Sequence, residues 1–173
     1  MAYKISSGYP EHELPDKIKA AQKKFGSFKD GRADYTHAPE APIVMCTVLC
    51  EDEILILKRG YGLADAEGYW STINGFIDEP KSVKEFACQE IREETGVKLK
   101  LDNIRVGKPY RLNNPKEKRV YNVFPCLAKL KSKPKIILNK EHTGFAWINR
   151  SELENYHILY DLPHAIDSAL ALT

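Results

Sequence analysis

The chain lacks the features that define several broad classes of protein. No run of about 18 apolar residues occurs, so the sequence predicts no membrane-spanning helix. The first residues lack the hydrophobic region of a signal peptide, which indicates a cytoplasmic protein. A formal net charge of +2 is too small to favour nucleic acid or a membrane surface as a partner.

Cysteine is scarce, and its spacing does not indicate a metal centre. Neither a CxxC motif nor a pair of histidine ligands accompanies the four cysteines, so a structural zinc ion is not expected. We interpret them as reduced, partly buried thiols. His142 and the two histidines after it also lack the spacing of a metal site, and we interpret them as structural. The cysteines are Cys46, Cys50, Cys88 and Cys126.

The composition is sufficient for one ordinary domain. Hydrophobic residues make up 43% of the 173 residues and charged residues 29%, enough to build a core and to cover it. A short lysine-rich helix is predicted near residues 14–25, with proline in its first turn and Gly26 after its end. We therefore divide the chain into an N-terminal extension with this helix, residues 1–38, and a main domain, residues 39–173.

The predicted elements of the main domain neither alternate regularly between strand and helix nor form an all-β pattern. Apolar, β-branched runs predict six strands, followed by a turn capped by Ser151 and a helix near residues 162–170. This order favours the α/β class, with a mixed sheet between helices on both faces. The predicted strands are residues 43–50, 54–58, 97–101, 104–111, 119–130 and 145–148.

Three glutamates are the most informative side chains of the chain. Glu90, Glu93 and Glu94 have the i, i+3, i+4 spacing that stacks side chains on one face of a helix. At about 100° per residue the same sector carries apolar residues, so we expect all three carboxylates to point into the protein. The apolar residues of this sector are Val83, Phe86, Ala87 and Ile91.

The sequence around these glutamates predicts a loop that leads into a capped helix. Residues 74–80 are rich in turn formers and have no helical period. Ser82 followed by Glu85 fits a capping box, and Gly96 stands where a helix would take its left-handed C-terminal residue. These signals place the helix at about residues 83–95, with the free carbonyls of irregular backbone beside the carboxylates.

A cluster of partly buried carboxylates either takes up protons or binds a cation, because like charges at short range oppose ionisation. Oxygen ligands without nearby cysteine or histidine indicate magnesium, manganese or calcium, and magnesium is our choice. The alternative is an ordinary acidic helix end in solvent, since glutamate is a good helix former.

This segment resembles the box of the Nudix hydrolases, which reads glycine, five residues, glutamate, seven residues, then R-E-U-x-E-E-x-G-U with U a bulky aliphatic residue. Two positions depart from it, since Lys81 replaces the first glutamate and Gln89 replaces the arginine. In the family that arginine orients a catalytic glutamate, so we expect the departures to affect the catalytic rate more than metal binding. The matching residues are Gly75, Glu90, Ile91, Glu93, Glu94, Gly96 and Val97.

The resemblance implies the Nudix fold, a mixed β-sheet sandwiched between helices (α/β/α). It also implies hydrolysis of a diphosphate linkage by water that Mg²⁺ (or Mn²⁺) activates. The implied metal ligands are Glu90, Glu93, Glu94 and the carbonyl of Gly75. The implied catalytic residues are Glu93 and Glu141, either of which could be the general base. The alternative interpretation of Glu141 is an exposed turn residue.

Two basic residues are candidates for binding the substrate. Arg59, at the predicted end of a strand, could make bidentate contacts with a phosphate, and Lys81 could contact a phosphate near the start of the helix. Each could equally be a charge in solvent. Lysine-rich turns near residues 116–119 and 129–135 could attract polyphosphate, although solvated turns explain them as well.

The substrates that the resemblance implies are nucleoside triphosphates, dinucleoside polyphosphates and ADP-sugars. The expected partner is such a small nucleotide, bound by a monomer or a homodimer, without nucleic acid or a membrane. The alternative is a catalytically weakened Nudix domain that binds a nucleotide or a protein partner, which Lys81 and Gln89 favour. Residues 1–41 contain no cysteine, which excludes the Nudix enzymes with an N-terminal zinc ribbon.

Overall fold

A computed structural model describes residues 3–61, 66–159 and 161–173, so Met1 and Ala2 of the predicted extension lie outside the described residues. Within these ranges one mixed sheet is flanked by α-helices. No helix in them is long and apolar enough to cross a membrane. The helices are α1 (Leu14–Phe25), α2 (Val83–Thr95) and α3 (Leu162–Leu170), and the strands are β1 (Lys4–Ser7), β2 (Glu40–Cys50), β3 (Glu53–Arg59), β4 (Trp70–Ser71), β5 (Ile73–Phe76), β6 (Ile104–Val106), β7 (Tyr110–Asn114), β8 (Arg119–Leu130) and β9 (His142–Asn149).

The sheet is built around two long parallel strands. β2 and β8 pair from Glu40 opposite Val120 to Cys50 opposite Leu130, and most of their residues are buried. Continuous burial is expected of parallel strands that are covered on both faces. The path through the sheet is β1-β7-β8-β2-β3-β4, while β5 pairs with β2, β6 with β8 and β9 with β3. These other pairs run antiparallel, so the sheet is mixed as predicted.

Each face of the sheet has its own apolar core. Val44 of β2 packs with Ile18 of α1 and Phe86 of α2 in one buried cluster. The next residue, Met45, lies in a second cluster with Ile166 of α3. Successive side chains of a strand point to opposite faces, so β2 supplies both cores. The architecture is the predicted α/β/α sandwich.

One predicted strand is absent and another is divided in two. Residues 97–100 form no strand and lead into a 3₁₀-helix at Leu101–Asn103. Residues 104–111 hold two strands, β6 and β7, with a break between them. Pro109 lies in that break, where its missing N–H removes a ladder donor.

Two other segments were misassigned. Residues 74–76, which we expected in a loop, end strand β5 and pair with β2. Short strands such as β5 depend on their partner strand, which the local sequence does not reveal. A 3₁₀-helix at Arg150–Asn155 follows Asn149, so Ser151 lies inside this turn and does not cap it.

The N-terminal extension packs into the same core as the main domain. Helix α1 has the predicted bounds, and its Leu14 and Ile18 are buried in the cluster that contains Phe86 of α2. Strand β1 pairs with β7 at the edge of the sheet. The hydroxyl of Tyr35 donates a hydrogen bond to the carbonyl of Ile77 at 3.2 Å. The division of the chain at residue 39 stays a prediction.

Candidate active site

Helix α2 has the predicted caps at both ends. The N–H of Glu85 donates to Oγ of Ser82 at 3.3 Å, and Oε2 of Glu85 accepts from the N–H of Ser82 at 2.8 Å. This reciprocal pair is a capping box. After the helix, Gly96 adopts the left-handed conformation with φ 73°, which costs glycine little. The caps fix the positions from which the three glutamates project.

The N-terminal extension holds the loop that leads into α2. Oε1 of Glu11 accepts a hydrogen bond from the N–H of Val83, the first residue of the helix, at 2.8 Å. Arg32 contacts Asp78 in the preceding loop, with Nη1 and Oδ2 3.3 Å apart. A carboxylate at a helix N-terminus is also stabilised by the helix dipole. The extension therefore positions the start of the helix that carries the acids.

Two of the three glutamates point inward as predicted, and the third does not. The side chain of Glu94 is buried and that of Glu90 is partly buried. The side chain of Glu93 is 50% exposed and lies 3.9 Å from the guanidinium of Arg92. Residue 93 lies on the flank of the apolar stripe, whereas residues 90 and 94 lie on it together with Ile91. The expectation of three inward carboxylates is thus wrong for Glu93.

Glu90 lies directly against Gly75 of β5. A Cβ built at Gly75 would come within 2.5 Å of Oε1 and 2.7 Å of Oε2 of Glu90, so the absence of a side chain there makes room for the carboxylate. Burial, together with the charges of Glu93 and Asp78, raises the pKa of the Glu90 carboxyl to about 7. Glu90 is therefore a desolvated acid that gains from a nearby positive charge.

Glu94 is the most deeply buried acid of the box. Its Oε2 has no hydrogen-bond partner among the described residues, while the backbone N–H of Asn74 bonds to the carboxylate. Burial raises the pKa of Glu94, and the charge of Glu90 adds to that increase. A buried carboxylate oxygen without a partner is costly unless a proton or a cation lies beside it.

His142 is a site residue that the sequence interpretation missed. Its Nε2 lies 3.6 Å from Oε2 of Glu94. Its Nδ1 lies 2.9 Å from Oδ1 of Asn139, which also accepts the N–H of Glu141 at 3.1 Å. An amide oxygen only accepts, so the proton of the neutral ring is on Nδ1. Burial, with the charge of Arg59, lowers the pKa of His142 to about 4, so the ring is neutral and Nε2 carries a lone pair. Nε2 is thus an acceptor that faces Oε2 of Glu94, an arrangement that either a proton on Glu94 or a cation beside both atoms stabilises.

Glu141 and Arg59 come together at an irregularity in the sheet. The pairing of β3 with β9 shifts register between Lys58 and Arg59, which brings Arg59 opposite His142. The N–H of Gly60 donates to the carbonyl of Glu141 at 2.7 Å. The side chain of Glu141 is exposed, yet its charge raises the pKa of Glu90 and of Glu94. The turn therefore holds Glu141 beside the acids of the box.

A cavity of about 460 Å³ opens beside these acids. Asn74 and Gly75 form part of its wall, and the same two residues contact Glu94 and Glu90. Arg59 also lines it. The cavity has the size of a small-molecule site. Its remaining walls are Tyr3, Ile43, Met45, Ala66, Tyr69, Phe76, Leu112, Asn114, Lys116, Glu117, Tyr121, Leu159 and Asp161.

The match to known proteins covers the acids of the box, Arg59, Glu141 and His142. A family model described as the NUDIX domain matches residues 39–166, which include β2 to β9, α2 and most of α3. The chain belongs to the Nudix family. The family assignment and the fold predicted from the box are both confirmed.

Relatives of this Nudix chain agree with that assignment. Nucleoside triphosphatase NudI of Salmonella heidelberg strain SL476 is 31% identical over 137 residues, or 73% of this chain and 86% of the relative. The Nudix domain of Shewanella oneidensis NrtR, solved with ADP ribose, superposes with a TM-score of 0.65 at 18% identity, over 78% of this chain and 89% of that one. A C. elegans Ap4A hydrolase superposes with a TM-score of 0.60 at 15% identity, over 76% of this chain and 96% of that one. The predicted enzyme class, a Nudix pyrophosphohydrolase, is confirmed.

The two departures from the Nudix box contact each other away from the cavity. Nζ of Lys81 lies 3.4 Å from Oε1 of Gln89 and 3.0 Å from Oε1 of Glu79. Neither Lys81 nor Gln89 lines the cavity. The structure therefore does not bring Lys81, a predicted substrate ligand, to the place where a substrate would lie.

The residues of the Nudix box fit a hard divalent cation in their chemistry. Glu90, Glu94 and the carbonyl of Gly75 offer oxygen donors, which Mg²⁺ and Mn²⁺ prefer. Oε2 of Glu94 lacks a partner among the described residues and faces the lone pair of His142. The side chains as they stand do not converge, since no three acidic, histidine or cysteine side chains in the described ranges form a metal-binding group. One reason is that the side chain of Glu93 is exposed and turned toward Arg92, away from the other two glutamates.

Proposed function

We propose that this chain hydrolyses a diphosphate linkage in a nucleoside diphosphate derivative, with Mg²⁺ or Mn²⁺ as cofactor. The observation that carries the proposal is the buried, unpartnered Oε2 of Glu94, which faces an acceptor nitrogen of His142 at 3.6 Å. Two acceptors in this position are stabilised by a cation. Nucleoside triphosphates are the first candidates, because the NudI relative is named a nucleoside triphosphatase.

Glu90 and Glu94, with the carbonyl of Gly75, are the proposed ligands of the cation. A bound cation would lower the pKa of water and neutralise charge on the phosphates. Glu93 is the fourth proposed ligand; its side chain is half exposed and free of tight packing, and its charge already acts on Glu90. Arg59, on the cavity wall, is proposed to bind a phosphate of the substrate through its planar guanidinium.

Glu93 and Glu141 are the candidates for the general base. Glu141 is supported by its turn, which Asn139 and Gly60 anchor through hydrogen bonds at 3.1 and 2.7 Å. A base must reach the attacking water within hydrogen-bond distance, so a fixed backbone is an advantage. Loss of the base should remove the acidic limb of the pH–rate profile, whereas loss of a ligand should raise the Mg²⁺ concentration needed for activity. Comparison of Glu141→Gln with Glu93→Gln by these two readouts assigns the roles.

The proposal is tested by nucleotide release from a panel of nucleoside triphosphates, dinucleoside polyphosphates and ADP-sugars, each with Mg²⁺, Mn²⁺ or chelator. We expect release from at least one compound that depends on the metal and stops in chelator. Release that continues unchanged in chelator would contradict the proposed cofactor. Binding of a nucleotide without any release would favour the alternative, a catalytically weakened binding domain.

A further inference from the structure

The cavity contains a buried acid that the proposed hydrolysis does not use. Asp161 lines the cavity and is 7% exposed. It precedes α3, on the face of the sheet opposite to α2, and it is no part of the Nudix box. Burying a carboxylate costs free energy through desolvation, so an interaction that offsets this cost is expected.

Helix capping does not account for Asp161. An aspartate before a helix usually accepts a hydrogen bond from the N–H of the second or third helical residue. Asp161 makes no such side-chain hydrogen bond, and its backbone is helical (φ −100°, ψ −2°) rather than extended. The second residue of α3 is Pro163, which has no N–H to donate. The carboxylate is therefore directed to the cavity instead of to its own helix.

No neighbouring side chain in the described ranges neutralises the carboxylate of Asp161, so it can accept a hydrogen bond from a ligand. Glu117, on the same wall, is held by Nδ2 of Asn114 at 2.6 Å and by the hydroxyl of Tyr121. The pKa of Asp161 is raised to about 6, mainly by burial and also by the charge of Glu117, while a hydrogen bond from its own backbone N–H acts in the opposite direction. The carboxyl is thus mostly ionised above pH 7. Lys116 is the cation on this wall, but no ion pair joins it to Asp161 among the described residues.

The rest of the cavity suits a flat aromatic ligand. Apolar and aromatic side chains form most of its walls, among them Met45, Phe76, Leu112 and Tyr121. Aromatic rings and long apolar side chains offer faces on which a nucleobase can pack. Arg59, Asn74 and Gly75 line the same cavity, and the last two contact the acids of the box. A base beside Asp161 would therefore belong to the molecule whose phosphates reach the metal site.

We propose that Asp161 accepts a hydrogen bond from the exocyclic amino group of the substrate's nucleobase. The substrate would then carry cytosine, adenine or guanine in preference to uracil, thymine or hypoxanthine. An ionised carboxylate only accepts, so it pairs with an amino group and is repelled by a carbonyl oxygen in the same place. This inference rests on the proposed function, since it names the bases of the nucleotides that the site hydrolyses.

The test compares kcat/KM within pairs of triphosphates that differ at the amino group: CTP with UTP, ATP with ITP and GTP with ITP. We expect the amino member of at least one pair to be preferred about tenfold or more, the size of a hydrogen bond to a charged group. Asp161→Asn, which adds a donor, should reduce that preference to about threefold or less. Asp167→Asn is the matched control, since Asp167 lies on the exposed side of the same helix and pairs with Arg150 at 2.7 Å.

Binding provides a second readout that depends on neither the metal nor a variant. The wild type in chelator should bind the monophosphate of the preferred amino base more tightly than its oxo counterpart, for example CMP more tightly than UMP. Equal kcat/KM within all three pairs, or an unchanged preference in Asp161→Asn, would overturn the inference and leave the proposed function intact. A wild type that neither hydrolyses nor binds any nucleotide would overturn both.

Discussion

The carboxylate of Glu90 fills the space where a side chain at position 75 would begin. A Cβ at Gly75 would lie 2.7 Å from Oε2 of Glu90, well inside van der Waals contact. The carboxylate of Glu90 can therefore lie in this position only because residue 75 has no side chain. The glycine of the box thus has a steric role in addition to the ligand role that the resemblance implies.

The first prediction is that Gly75→Ala lowers activity by displacing Glu90. The new methyl group must push the carboxylate aside, so we expect kcat to fall at least about tenfold and the required Mg²⁺ concentration to rise. The atoms displaced are the end of a flexible side chain, so the loss of stability in urea unfolding should stay below about 1 kcal/mol.

Gly144→Ala is the matched control for this prediction. A Cβ at Gly144 in β9 would meet its nearest atoms at 3.7 and 3.9 Å, an ordinary contact. This variant should keep its activity. Equal activity of Gly75→Ala and the wild type would contradict the steric role of residue 75.

The sequence was most informative for features that depend on residues close together along the chain. The caps of α2 depend on residues three positions apart, so Ser82, Glu85 and Gly96 could be recognised in the sequence. The apolar stripe predicted the inward direction of Glu94. It failed for Glu93, because a residue on the flank of a stripe is buried or exposed according to what packs beside it.

Contacts between distant segments could not be read from the sequence. His142 lacks metal-site spacing, and it reaches Glu94 only because β9 pairs with β3 in a shifted register. Glu11 and Val83 are 72 residues apart, yet they share a hydrogen bond at the start of α2. One local signal was available for Asp161, since a proline two residues later removes one of the two N–H groups that an N-cap aspartate can bind.

The second prediction concerns the two departures from the box. In the double variant Lys81→Glu with Gln89→Arg, a glutamate and an arginine would replace two side chains that now lie 3.4 Å apart. Their direct coupling should be about 0.2–1 kcal/mol, because the site is partly exposed. We expect turnover to rise about tenfold if residue 89 positions the adjacent Glu90 as the family arginine does.

A double-mutant cycle separates the two contributions. Gln89→Arg alone would place an arginine beside Lys81, so it should be the least stable of the three variants. Kinetics on the best substrate provide the second measurement. A fall in turnover for the double variant would mean that Lys81 contributes to this protein's own reaction.

The third prediction is that the N-terminal extension is required for a stable domain. Ile18 of α1 is 1% exposed in the core that contains α2, so Ile18→Ala should cost about 2–4 kcal/mol of unfolding free energy. Ile5→Ala on β1 is the control, since Ile5 is 46% exposed and should cost well under half of that amount. Equal, small losses in urea unfolding would indicate that the extension is an independent appendage.

The fourth prediction is a pH-dependent gain in stability from Asp161→Asn. The folded protein raises the pKa of Asp161 from its ordinary 3.8 to about 6, so the folded state favours the protonated form. Ionisation therefore destabilises the fold progressively from about pH 4, and the full penalty is present above about pH 7. Removing the charge should add at most about 3 kcal/mol at pH 8 and little near pH 4.

Urea unfolding of the wild type and Asp161→Asn between pH 4 and 8 measures this gain. Asp167→Asn serves again as the control, because its carboxylate is exposed and its loss should not produce a gain that grows with pH. A constant difference between Asp161→Asn and the wild type across this range would contradict the raised pKa.

The most direct test of the account compares Glu94→Gln with Glu154→Gln in hydrolysis of the best triphosphate at saturating Mg²⁺. Glu154 is an exposed glutamate far along the chain from the box, so its substitution controls for loss of one negative charge. We expect Glu94→Gln to lose at least about 99% of kcat, as expected for removal of a metal ligand, while its fold is retained and Glu154→Gln stays fully active. Full activity in Glu94→Gln would contradict a metal site centred on Glu94.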